Sequence, residues 1–84
     1  MSYKVLISRQ AGKEIKKLPK ATIPKVYTKI KALADNPRPS GVVKLTSFEN
    51  LWRIRVGSYR IIYSIEDDIQ IVDIREVVDR KDAY

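Results

Sequence analysis

Apolar positions follow two different periods along the chain, and the change between them falls near residue 50. Ala11, Ile15 and Leu18 recur at helical spacing, and Pro19, which cannot continue a helix, closes that segment. Thr22 is placed to cap a second helix, with Pro24 tolerated in its first turn. Val26, Ile30 and Leu33 form its apolar stripe, flanked by Ile23, Tyr27 and Ala34. Asn36-Pro37-Arg38-Pro39-Ser40-Gly41 then ends the helix and supplies a loop. Residues 3–8 are short and β-rich and read as an opening strand. Beyond residue 50 the period becomes two, so that 51–56, 59–65 and 69–77 read as three consecutive strands. The predicted order is β-α-α-β-β-β, an α+β fold with two N-terminal helices packed on one face of a small antiparallel sheet. A chain of 84 residues has room for one such domain, spanning 1–84, and not for two.

Gly57-Ser58 suits a two-residue turn with glycine at its first central position. Such a turn sets Val56 opposite Tyr59, Arg55 opposite Arg60, Ile54 opposite Ile61 and Trp52 opposite Tyr63. Strand side chains alternate faces, so Trp52, Ile54, Val56, Tyr59, Ile61 and Tyr63 share the core side. Arg53, Arg55 and Arg60 then share the other. Like charges directly opposite each other are destabilising. An anion lying between Arg55 and Arg60 accounts for a placement that stability alone disfavours. If Asp67-Asp68 is also a two-residue turn, Asp73 and Arg75 join this face beside Ile62 and Arg60, and Asp73 could neutralise one arginine.

Charge sharpens this picture. Lys and Arg number 17 against 10 Asp and Glu, a net +7 that favours polyanionic partners. Ten of the basic residues lie within 1–42 against two acids, and there they are mostly lysine. Lysine is a mobile, hydrated charge suited to loose contact with a phosphate backbone, whereas arginine presents a fixed fork. Lys13, Lys16, Lys17, Lys20, Lys25, Lys29 and Lys31 therefore read as a broad docking surface, separate from the arginine face. The chain has no Cys and no His. Disulfides, thiolate chemistry, Ser-His triads and His-containing zinc sites are excluded. No apolar run approaches the roughly 18 residues of a membrane span, and the N-terminus lacks a signal-peptide pattern. Both point to a cytosolic protein that uses no membrane.

Several segments together resemble the RelE/ParE superfamily of toxins from type II toxin–antitoxin pairs. They are the opening strand, Leu18-Pro-Lys, Asn36-Pro-Arg-Pro, Lys44-Leu, the run Leu51-Trp-Arg-Ile-Arg-Val-Gly-Ser-Tyr-Arg-Ile-Ile-Tyr-Ser-Ile, and Arg80-Lys-Asp-Ala-Tyr. The resemblance covers nearly the whole chain. It implies a RelE-like fold and, for a RelE-type member, a ribosome-dependent endoribonuclease acting on messenger RNA in the A site. There the neighbouring 2′-OH attacks the phosphate and leaves a 2′,3′-cyclic phosphate and a free 5′-OH. Because the nucleophile belongs to the substrate, neither metal nor cofactor is called for.

The resemblance carries the family's basic pair onto Arg53 and Arg55, its next arginine onto Arg60, and its C-terminal arginine and tyrosine onto Arg80 and Tyr84. Arg60 and Arg80 are assigned to transition-state charge, and Arg53 and Arg55 to positioning the phosphodiester. Some relatives have lysines at 53 and 55 and many have a histidine at 79, where this chain has Asp79. Arginine stays protonated, which leaves Tyr84 or Lys81 as general base and the general acid unassigned. Tyr84 would be helped by cations, which favour the phenolate, or would instead stack on an unstacked base. Lys81 is also counted among the RNA- and ribosome-binding residues. Implied partners are a cognate RelB-like antitoxin, forming a hetero-oligomer, together with the ribosome and mRNA. The alternatives are a ParE-type toxin that inhibits gyrase without cutting RNA, and an inactive RNA- or antitoxin-binding module.

Overall fold

In a computed structural model, the described residues are 2–45 and 50–79. Their elements run β1 (Lys4–Ile7), α1 (Arg9–Lys16), α2 (Ile23–Asp35), β2 (Val43–Lys44), β3 (Leu51–Val56), β4 (Tyr59–Glu66) and β5 (Ile71–Asp79). One sheet is formed in the order β1-β5-β4-β3-β2. Both helices lay their apolar stripes on one side of it. Ala11 and Ile15 of α1 and Val26, Ile30 and Leu33 of α2 join Ile54, Ile61, Tyr63, Ile65, Val72, Ile74 and Val77 in one buried cluster.

The α+β arrangement holds, but the sheet is mixed and not wholly antiparallel. β1 pairs with β5 in parallel, Val5 opposite Val72 and Ile7 opposite Ile74. Apolar spacing within β1 gives no sign of that direction, because the partner strand lies some 67 residues away. The short β2 also escaped the period-two reading, since two residues are too few to alternate. It pairs antiparallel with β3, Val43 opposite Arg53.

The helix starts differ from the expectation as well. Thr22 adopts helical dihedrals (φ −83°, ψ −32°) and its hydroxyl makes no capping bond. It belongs to a turn begun at Pro19, whose carbonyl accepts from Thr22 N at 2.8 Å. The side-chain cap is instead at α1, where Ser8 Oγ accepts from Ala11 N at 3.1 Å and donates to Arg75 O at 2.9 Å. Arg75 is the extra residue of a bulge in β5: Tyr63 faces Ile74 while Ile62 faces Glu76. Past the end of β1 the edge of β5 needs partners, and Glu14 Oε1 accepts from Val77 N at 2.8 Å. Ser8 and Glu14 thus satisfy a strand edge that no neighbouring strand covers among the described residues.

A second set of contacts pins the loop after α2. The buried Tyr63 phenol donates to Pro37 O at 2.8 Å, and its burial pushes its pKa up to about 12. Arg38 grips Asp67 with both terminal nitrogens, at 3.2 and 2.7 Å, and lies over the Trp52 ring at 5.0 Å from its centroid. Tyr3 donates to the same carboxylate at 2.7 Å. Arg38 first, and Tyr3 second, hold the Asp67 carboxyl down to about 2.

Replacing Tyr63 with Phe leaves the Pro37 carbonyl unpaired and should destabilise the fold by about 1 kcal/mol, read in urea unfolding. Unfolded tyrosine titrates near pH 10, whereas the folded phenol titrates near 12. The stability it confers is therefore complete below pH 10 and falls as pH rises towards 12. The wild type should lose stability faster than Tyr63→Phe across that window. Asp67 works in the opposite direction. Its depressed pKa gives stability that is present above the ordinary carboxylate value and lost as pH falls towards 2. An Asp67→Asn variant should lack this acid limb in a pH series of thermal melts.

Candidate nucleic-acid interface

The β3–β4 turn decides where the cationic side chains go. Gly57 has φ +58°, a value that its missing Cβ makes accessible and that a type II′ turn needs at its first central residue. The resulting ladder pairs Val56 with Tyr59, Arg55 with Arg60, Ile54 with Ile61 and Trp52 with Tyr63, as the sequence predicts. On the face away from the helices the residues form rows. One row is Arg55, Arg60 and Val78, and the next is Arg53, Ile62 and Glu76. A third is Leu51, Ser64, Asp73 and Leu6. Ile62 is only 2% exposed and Ser64 4%, although neither belongs to the helix-side cluster. The arginines therefore border an apolar floor at one corner of the sheet, beside the Gly57 turn. Arg55 is exposed, while Arg53 and Arg60 are half-buried.

The expected neutralisation by Asp73 does not occur. The connection between β4 and β5 is a turn of four residues, 67–70, with Gln70 at φ +53°, and Glu66 pairs with Ile71. The two extra residues of this turn move Asp73 opposite Ser64, and the bulge at Arg75 then sets Glu76 opposite Ile62. The Asp73 carboxylate lies 3.6 Å from Arg75 Nε. On this face Glu76 lies diagonally across from Arg60, and its Oε1 is 3.5 Å from Gln10 Nε2.

The lysines do not form a single surface. Lys13, Lys16 and Lys17 project from the outer side of α1, with Lys20 exposed in the loop after it. On α2, Lys25 and Lys29 lie one turn apart and line a cleft of about 460 Å³ with Thr28, Ala32, Arg55, Val56 and Gly57. Lys31 is exposed on α2 away from that cleft. Sequence reading missed this cleft, because only tertiary packing brings α2 beside the end of β3. Arg80, Lys81 and Tyr84 lie outside the described residues.

Comparison with known proteins agrees with this scaffold. Residues 5–84 match the family model described as "ParE toxin of type II toxin-antitoxin system, parDE". A Methanocaldococcus jannaschii protein named "Putative toxin RelE1" is 30% identical, over 100% of this chain and 97% of its own. The archaeal RelE–RelB complex of Pyrococcus horikoshii contains a chain that superposes with a TM-score of 0.86 at 32% identity. The alignment covers 99% of this chain and 100% of that one. A chain of the RelBE2 toxin–antitoxin complex of Mycobacterium tuberculosis gives 0.82 at 26% identity, covering 95% and 100%. This chain belongs to the ParE toxin family, within the RelE/ParE superfamily of type II toxins.

Facing Arg55 and Arg60 across a ladder costs stability that a neutral residue would recover. Arg55→Thr should raise the thermal midpoint at low salt by a few degrees, corresponding to about 0.5 kcal/mol. The gain should shrink in 0.5 M salt, because screening reduces the repulsion. Scanning calorimetry at two ionic strengths checks both statements.

Proposed function

We propose that this toxin is a metal-independent endoribonuclease that cuts messenger RNA in the ribosomal A site. The observation that carries the reading is the cross-strand placement of Arg55 against Arg60, with Arg53 two residues along the same face. In the reaction the substrate's own 2′-oxygen attacks the phosphorus as its proton leaves to a base. The P–O5′ bond breaks, and the departing 5′-oxygen takes up a proton. Negative charge grows on the non-bridging oxygens, which preorganised cations stabilise. Arg53 and Arg55 position the phosphodiester, and Arg60 with Arg80 takes the developing charge. Tyr84 removes the 2′ proton or stacks on the base, with Lys81 as the other candidate base. Arginine at 53 and 55 cannot exchange protons at neutral pH, so those side chains act through charge alone.

The lysines on α1 and α2 supply phosphate contacts to the ribosome. Membership of a toxin–antitoxin family, and solved relatives that are themselves complexes of RelE with RelB, support a cognate antitoxin as the neutralising partner.

Primer extension on transcripts bound to purified ribosomes tests the reading. Wild-type protein should produce cuts at the A site, and Arg60→Ala and Arg80→Ala should each lower cleavage by roughly 10²–10³ while the circular dichroism spectrum is retained. Folded variants that cut normally would refute the assignment. Inhibition of gyrase supercoiling without cleavage would point to ParE-type action, and neither activity to a binding module. Lys31→Ala should weaken ribosome association and lower its salt slope by about one, measured by sedimentation across a salt series.

A further inference from the structure

The tip of the arginine hairpin carries a hydroxyl, that of Ser58, the second residue of the β3–β4 turn. Ser58 is exposed there, and its hydroxyl makes no hydrogen bond among the described residues. Several other hydroxyls are occupied or shut in: Ser8 caps α1, Thr28 donates to Pro24 O at 2.9 Å, and Ser64 is buried. Arg53 and Arg55 stand five and three residues before Ser58, and Arg60 two residues after it. Exposed Ser40 has Pro37 at the third position before it, and no such arginine. Leu51 O accepts from Leu45 N at 2.9 Å on the β2 side, so by alternation Trp52, Ile54 and Val56 bond to β4 through their main chains. Arg55 and Arg60 are then a non-hydrogen-bonded pair, the closer kind, with Cα atoms about 4.5 Å apart. The Cα atoms of Ser58 and Arg60 are separated by at most about 7 Å of chain. A phosphorylated serine and an arginine together span more than that, so a phosphate on Ser58 lies within reach of both facing guanidinium groups.

We infer that Ser58 is a phosphorylation site, modified by a protein kinase that reads the arginines before it, and that the attached phosphate closes the arginine corner by holding Arg55 and Arg60. In the transfer, the Ser58 oxygen attacks the γ-phosphorus of a nucleoside triphosphate. The bond from that phosphorus to the β–γ bridging oxygen breaks, the nucleoside diphosphate leaves, and the hydroxyl proton passes to the kinase's base. The kinase class follows from the surroundings of the acceptor, because carboxylates that grip guanidinium forks select arginine at fixed distances from it. Ser58 sits at the tip of the hairpin, so the transfer needs no opening of the β3–β4 ladder. Phosphoserine brings up to about two negative charges to a corner that holds three arginines. It is tethered, and so competes with any free phosphodiester at high effective concentration. It also relieves the repulsion between Arg55 and Arg60 that the ladder imposes. The consequence for RNA rests on the proposed nuclease reading of this corner, whereas the modification and the capture of its phosphate do not.

The test incubates the folded, full-length protein with magnesium ATP and a serine kinase of this arginine-directed class, and maps the product by tandem mass spectrometry. Phosphate is expected at Ser58, with none on Ser58→Ala and slower transfer to Arg55→Ala. Protein carrying genetically encoded phosphoserine at position 58 then reports the capture. Its phosphorus NMR resonance should titrate below the ordinary phosphoserine value of about 6, because two cations favour the dianion. Arg55→Ala in that protein should bring the titration back towards the ordinary value. Phosphoserine at 58 should also weaken binding of a fluorescein-labelled oligouridylate about tenfold, while Ser58→Ala binds it as the wild type does. The inference is overturned if phosphate enters elsewhere or not at all, or if the phosphoserine titrates at its ordinary value. It is also overturned if the modified protein binds the oligouridylate as tightly as the unmodified one. If the unmodified protein neither binds the oligouridylate nor cuts RNA, the nuclease reading fails by itself. The mass map and the phosphorus titration then still decide the modification.

Discussion

The two-residue turn at Gly57 is the constraint on which the arrangement of this protein rests. Strand side chains alternate with a period of two, so one residue more or less in that turn would exchange the faces of β3 relative to β4. With the turn as it is, Ile54, Ile61 and Tyr63 meet the helices, and Arg53, Arg55 and Arg60 meet solvent. Folding and charge placement are thus decided by the same local geometry. The apolar side pulls the hairpin into register strongly enough to force two guanidinium groups across from each other. The hydrophobic term, at ~25 cal/mol per Å² over several fully buried isoleucines, outweighs a cross-strand repulsion of less than ~1 kcal/mol.

Around that hairpin the remaining contacts hold still what the turn has placed. Tyr63 ties the middle of β4 to Pro37, and Arg38 ties the same loop to Asp67 at the end of β4 and to Trp52 on β3. Lys44 approaches the Trp52 ring as well, 5.6 Å from its centroid. Asn50, in a left-handed conformation at φ +58°, donates to Ile65 O and so anchors the start of β3. Sites that stabilise developing charge depend on cations already in position, because reorganising them during the reaction forfeits the advantage. In this small chain, polar contacts that cross-link loop to sheet would give the proposed site that rigidity.

What could be read from the sequence was local, and what could not was distant. The turn at Gly57 and the ladder it dictates follow from six residues on either side, and they agree residue for residue. Apolar spacing likewise located both helices and their buried stripes. The parallel pairing of β1 with β5 depends on a partner far along the chain, and nothing in β1 encodes its direction. Asp67-Asp68 looks like a two-residue turn, yet Gln70 adopts a left-handed conformation that few non-glycine residues take, and the longer connection results. The bulge at Arg75 is fixed by contacts from α1 through Ser8, which local strand pattern cannot reveal. The longer connection carried Asp73 away from the arginines, and the bulge beyond it set Glu76 opposite Ile62, so an error of register became an error about the electrostatics of the site.

The distribution of basic residue types acquires a physical meaning from this arrangement. Arg53, Arg55 and Arg60 stand on strands, where the backbone is fixed and a rigid fork gains most from being aimed. Lys13, Lys16, Lys25, Lys29 and Lys31 stand on the helices, where a long flexible stem lets one charge follow a partner of variable shape. Between the two lies the end of β3, at which Arg55 borders both a strand edge and the lysine-lined wall of α2. A residue in that position would link the two places if both received anions, because one guanidinium cannot satisfy two anions at full strength.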